Sequence, residues 1–127
     1  MTVIGFDTET ELIAPGLQAP PLVCLSVSDG TLVGWKDAED LAVALLDSGQ
    51  ILGGHHVAFD WAVIAAQFPR LLQRIFEAYE QDRIQDTGVR QKLIDLANGE
   101  LRGWHRQPGQ KPIKYGYALG DTLKGPK

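Results

Sequence analysis

Val3-Ile4-Gly5-Phe6-Asp7-Thr8-Glu9-Thr10 is an apolar run that breaks into two carboxylates one residue apart. In an extended strand, side chains two apart share a face, so Asp7 and Glu9 are expected to project together from a strand end. Paired carboxylates repel unless a cation sits between them. Hard oxygen donors, with no neighbouring cysteine or histidine, suit Mg2+ or Mn2+ better than zinc. An Asp-x-Glu at a strand end is also often a solvated turn, so the stretch needs a second one beside it. Ile51-Leu52-Gly53-Gly54-His55-His56-Val57-Ala58-Phe59-Asp60 supplies it: a glycine-flanked strand, then a carboxylate just inside a helix that runs to Gln67.

Between these stretches, Pro15, Gly16, Pro20 and Pro21 make the segment from Leu12 to Pro21 a loop, because proline cannot serve a ladder or an early helix interior. Leu22–Ser28 and Thr31–Trp35 read as strands joined at Asp29-Gly30, a hairpin dipeptide, which makes an antiparallel meander with the first strand. Asp37 is the expected N-cap of an amphipathic helix carried by Leu41, Ala42, Leu45 and Leu46 and stopped at Ser48-Gly49. A helix crossover then makes Ile51–Gly53 parallel to the first strand. Pro69 opens a further helix through Phe76, Arg83–Asp86 is a short strand, and Thr87–Asn98 is a helix closed by Gly99. Residues 100–127 read as open and weakly structured, with at most a short helix over Tyr117–Lys124.

The 127 residues suit one domain, and 44% hydrophobic with 22% charged residues is ordinary for a folded chain. No apolar run approaches membrane-spanning length and no signal-peptide core precedes Asp7, so the expectation is a cytoplasmic protein without a membrane partner. Cys24, the single cysteine, excludes an internal disulfide and a cysteine-based zinc site, and reads as a small buried hydrophobe. The net charge of −4 argues against a simple electrostatic DNA clamp. Its distribution is uneven: residues 1–69 carry Lys36 alone against nine acids, whereas residues 70–127 carry eleven Lys/Arg against seven acids.

The stretches Asp7-Thr8-Glu9-Thr10 and Gly54-His55-His56-Val57-Ala58-Phe59-Asp60, with Gln85-Asp86-Thr87 further on, resemble the DEDD (DnaQ-like) 3′–5′ exonucleases. The likeness is greatest to the proofreading domain of family A, phage-type DNA polymerases, and runs along almost the whole chain. It implies an α/β, ribonuclease H-like fold: a mixed five-stranded sheet with helices on both faces. It also implies two divalent cations, Mg2+ or Mn2+, and a single-stranded DNA 3′ end as substrate. Asp7 would bridge both metals, Glu9 would bind one and orient water, and Asp60 would help to hold the other. Thr10, Ile13 and His56 would contact the terminal nucleotide, and Asp86 would support the sheet end and helix start. Two departures stand out. His56 occupies a position where the family has Asn, and the family's third motif is absent from this sequence. The resemblance therefore implies a C-terminally incomplete domain, inactive or nearly so alone, with a polymerase domain or downstream segment as partner.

Two other classes are compatible with the residues. One is a catalytically silent module that binds nucleic acid or a polymerase. The other is a zinc-dependent hydrolase built on His56 and Asp60, four apart on one helix face. Trp35, Trp61 and Trp104 are candidates for base stacking, although residues placed as Trp35 and Trp61 are more often half-buried packing residues. Arg102, Arg106, Lys111 and Lys114, interleaved with Trp104 and Tyr115, read as a nucleic-acid contact or as a solvated linker.

Overall fold

The computed structural model describes residues 2–16 and 19–100, together with the backbone of 104–105 and 113–114. In order, the elements are β1 (Val3–Thr10), β2 (Leu22–Val27), β3 (Leu32–Gly34), α1 (Ala38–Asp47), β4 (Ile51–Gly54), α2 (Val57–Gln67), a 3-10 turn (Pro69–Leu71), α3 (Leu72–Glu80), β5 (Ile84–Asp86) and α4 (Thr87–Ala97). Two short strands follow, β6 (Trp104–His105) and β7 (Ile113–Lys114). The backbone divides into two compact units, Met1–Gln85 and Asp86–Lys127.

An α/β architecture results, with a five-stranded mixed sheet in the order β3-β2-β1-β4-β5. β1 lies at its centre, antiparallel to β2 and parallel to β4, and β3 is antiparallel to β2. These are the meander and the parallel crossover that the sequence pattern predicts. The hairpin turn at Asp29-Gly30 also forms: Gly30 takes φ 93, which suits glycine, and the Asp29 carboxylate accepts from the Thr31 N–H at 2.9 Å.

Along β1, Phe6 and Thr8 are buried while Asp7 and Glu9 are exposed. Phe6 pairs with Val27 and Thr8 with Leu25, so their side chains enter one core with Leu22, Leu52 and the inner faces of α1, α2 and α3. All three helices of the first unit thus share one face of the sheet. The other face at β1 carries Gly5, Asp7 and Glu9, beside Cys24 and Ser26 of β2, and offers a helix little apolar surface to cover. Among the described residues of this unit no helix covers that face, where the resemblance implies helices on both, and α4 belongs to the second unit.

Trp61 departs from a half-buried packing role. It is 2% exposed, with its ring centroid 4.7 Å from that of Phe6, and its indole Nε1 has no hydrogen-bond partner. Asp37 occupies the N-cap position of α1 without making a side-chain cap bond. The opposite end of α1 is better served: Arg83 donates to the carbonyls of Leu46 at 2.9 Å and Gln50 at 3.0 Å. A guanidinium there satisfies orphan carbonyls and opposes the negative end of the helix dipole. β6 and β7 pair antiparallel, Trp104 with Lys114 and His105 with Ile113, so the segment expected to be open contains a short ladder. The expected helix over residues 117–124 lies outside the described residues.

Candidate functional site

The C-terminal half of β1 and the first turn of α2 form the site, and the glycines of β4 allow them to meet. A Cβ on Gly54 would lie 3.2 Å from the Phe6 carbonyl oxygen and 3.2 Å from Val57 Cγ2, so any larger residue would have to push one of these neighbours back by a few tenths of an ångström. The chain then turns through His56 at φ 56 and ψ 45, a left-handed conformation, to start α2. Asp60 follows in the first turn of that helix and is 4% exposed.

Asp60 is held by the residue between the two carboxylates of β1. Its Oδ1 accepts from the Thr8 hydroxyl at 2.5 Å and from the Thr8 N–H at 3.2 Å. The hydroxyl contact has the short length typical of a hydrogen bond to an ionised oxygen. Thr8 is 7% exposed, so the clasp is shielded from competing water. It ties positions 52 apart in sequence and fixes α2 against the end of β1.

Asp7 and Glu9 sit on the other side of the strand. Their pairing partners in β2 are Ser26 and Cys24, and both side chains are exposed. With a strand rise of about 3.3 Å per residue, their α-carbons are separated by roughly 6.6 Å. Beside Asp7, a shallow depression of about 250 Å³ is lined by Gly5, Phe6, Ser26, Val27 and Ser28. Immediately after Glu9 the register with β2 shifts and Thr10 pairs with Leu22. This irregularity ends the alternation where the site begins, as β-bulges often do.

Carboxylate oxygens are the donor type that Mg2+ or Mn2+ takes. Among the described residues, no group of three or more His, Cys, Asp or Glu side chains is disposed to hold a metal ion. Strand alternation explains this: Asp60 meets β1 on its buried face, where Thr8 points, while Asp7 and Glu9 leave by the exposed face. The three motif carboxylates are therefore neighbours across the backbone of β1, with Asp60 on its buried side and Asp7 and Glu9 on its exposed side.

The remaining candidates are more dispersed. Thr10 is partly exposed and donates its hydroxyl to the Glu11 carbonyl at 2.9 Å; Ile13 is 70% exposed in the following loop. His56 is exposed, with its ring centroid 4.5 Å from that of His55. Asp86 caps α4 in the second unit, its Oδ1 accepting from the N–H groups of Gly88 at 2.8 Å and Val89 at 3.1 Å. That bonding is the helix-start role expected of it. The side chains of residues 102–115 lie outside the described residues.

Thr8 is the residue that the sequence reading passed over. Its signal was present in the period of two: a residue between two outward carboxylates must face inward, and a hydroxyl there needs a polar partner. Compared with models of known families, with curated proteins and with solved structures, the chain matches none.

Proposed function

We propose that this chain is a ribonuclease H-like 3′–5′ exonuclease domain of the proofreading type, acting on single-stranded DNA 3′ ends. The observation that carries the reading is the clasp. Asp60 is bonded to Thr8, so the stretch from Gly54 to Asp60 is delivered to the strand end that bears Asp7 and Glu9. Sheet order supports the same reading, with the carboxylate strand at the centre between an antiparallel and a parallel neighbour. Chemistry in open α/β sheets gathers at the carboxyl ends of strands, where Asp7 and Glu9 fall.

In that family reading Mg2+ or Mn2+ supplies the Lewis acid and the activated water. Asp7 and Glu9 would hold the ions with Asp60 beside them, and the bonds from Thr8 would fix where Asp60 stands. Partners consistent with the reading are a DNA 3′ end and a polymerase domain. The same clasp favours, as a second reading, a catalytically silent module that binds nucleic acid or a polymerase. A zinc hydrolase built on His56 and Asp60 gains nothing from it, because Asp60 Oδ1 already accepts two hydrogen bonds from Thr8. No helix among the described residues is long and apolar enough to cross a membrane.

The test is a manganese titration of the chain with 5′-labelled and 3′-labelled single-stranded DNA. Release of 5′-mononucleotides from the 3′ end, abolished by Asp7→Ala, supports the nuclease. Binding without release supports the silent module. Turnover that survives Asp7→Ala, or that zinc supports and manganese does not, refutes the nuclease reading.

A further inference from the structure

The two units carry opposite charge. Residues 1–85 hold Lys36, Arg70, Arg74 and Arg83 against twelve acids, whereas residues 86–127 hold eight Lys/Arg against four acids. Four of those eight, Arg102, Arg106, Lys111 and Lys114, fall between Leu101 and Gly120, a stretch without Asp or Glu. Trp104 and Tyr115 are interleaved with them.

The sequence reads this stretch as a nucleic-acid contact or as a solvated linker, and the backbone separates the two. A solvated linker has no fixed register, but β6 and β7 pair antiparallel, Trp104 with Lys114 and His105 with Ile113. The chain that joins them, 106–112, carries the turn dipeptide Pro108-Gly109. In such a ladder opposed α-carbons stand about 4.5–5.5 Å apart. Arg106 directly follows β6, and Arg102 and Lys111 each lie two residues from a strand, at most about 7 Å of chain. Four cations are thus gathered at one hairpin, with no carboxylate in the segment to neutralise them. Like charges held together oppose folding, so this juxtaposition suits a polyanion.

We propose that the β6–β7 hairpin binds single-stranded nucleic acid, with Arg102, Arg106, Lys111 and Lys114 neutralising phosphates while Trp104 and Tyr115 stack on bases. Cations that track the backbone, with aromatic residues among them, are the usual means of holding a single strand regardless of sequence. A duplex keeps its base faces stacked inside and leaves the aromatic residues nothing to cover. Strand pairing fixes the hairpin backbone before the nucleic acid arrives, so binding carries less ordering cost. The element uses neither a metal nor Asp7, Glu9 or Asp60, so it stands or falls apart from the nuclease reading.

Fluorescence anisotropy of the whole chain with labelled oligothymidylate, in EDTA to prevent hydrolysis, tests it. The logarithm of the binding constant should fall with the logarithm of salt at a slope of roughly −3, four contacts at about 0.7 each. Lys111→Gln/Lys114→Gln should reduce that slope by about 1.4. Arg70→Gln/Arg74→Gln removes the same charge from the first unit, where these arginines pair with Glu39 and Asp47, and should leave the slope unchanged. Trp104→Ala should weaken binding by about fivefold or more, as loss of one stacking contact does, while Trp104→Phe retains most of the affinity. Urea midpoints show whether each variant is folded; if Trp104→Ala is not, the lysine pair and Trp104→Phe decide. No saturable binding, a duplex bound as tightly as the single strand, a slope unchanged by the lysine pair, or an equal loss in the two charge-matched variants overturns the proposal.

Discussion

Replacing Thr8 by valine removes the clasp's hydroxyl while preserving its shape, its β-branching and its preference for a strand. Two donors converge on Asp60 Oδ1, the hydroxyl at 2.5 Å and the backbone N–H at 3.2 Å, and the substitution deletes the shorter. A hydrogen bond to a charged group contributes about 1.5–3 kcal/mol, and here the acceptor is 4% exposed, so water cannot replace the lost donor without opening the core. The backbone N–H remains, which keeps the loss below the roughly 3–5 kcal/mol that follows removal of a whole partner from a buried charge. The expected cost of Thr8→Val is therefore about 2 kcal/mol, read as a lower urea midpoint at unchanged slope. A double-mutant cycle with Asp60→Asn should give a coupling of about 1–2 kcal/mol, since the two side chains touch. If Thr8→Val lies within about 0.5 kcal/mol of the parent, or the two substitutions are additive, the clasp is not what holds α2 to β1.

Other outcomes follow from single residues. His56 adopts φ 56 without being glycine, so His56→Asn should be neutral or stabilising by up to about 1 kcal/mol, whereas His56→Val should cost about 1–2 kcal/mol; urea unfolding orders the three. The Asp29 carboxyl is held below its ordinary 3.8 by hydrogen bonding to Thr31, first by side chain and then by backbone. A depressed folded value means that the turn's contribution is complete above the unfolded pKa and is lost as pH falls through the folded one. A carbon-detected NMR titration should place Asp29 below a peptide reference, and Asp29→Ala should flatten the acid limb of the stability profile. Asp86→Ala removes the acceptor for two orphan N–H groups of α4 and should cost about 1 kcal/mol in the second unit, visible as faster amide exchange at Gly88 and Val89.

Much of the architecture was written locally. Alternation in β1, the Asp29-Gly30 dipeptide, the proline-rich loop before Leu22 and the 3.6-residue period after Asp37 and Val57 each act within a few residues, so strands and helices could be read almost to their ends. The parallel placement of β4 followed from chain connectivity, and the helix-start role of Asp86 came from the resemblance, while the structure shows it as an N-cap acting on the residues just beside it. Tertiary structure decided where the carboxylates point. Sequence spacing brings Asp60 near the end of β1, but whether it meets Asp7 and Glu9 or Thr8 depends on the register of β1 against β4, on the approach allowed by Gly54 and on the turn at His56. Packing likewise buried Trp61, gathered the three helices of the first unit on one face and interrupted the β1–β2 register after Glu9. Each of these is settled by contacts between residues far apart in the chain, where burial of apolar area and pairing of buried polar groups outweigh the preferences that any single residue carries.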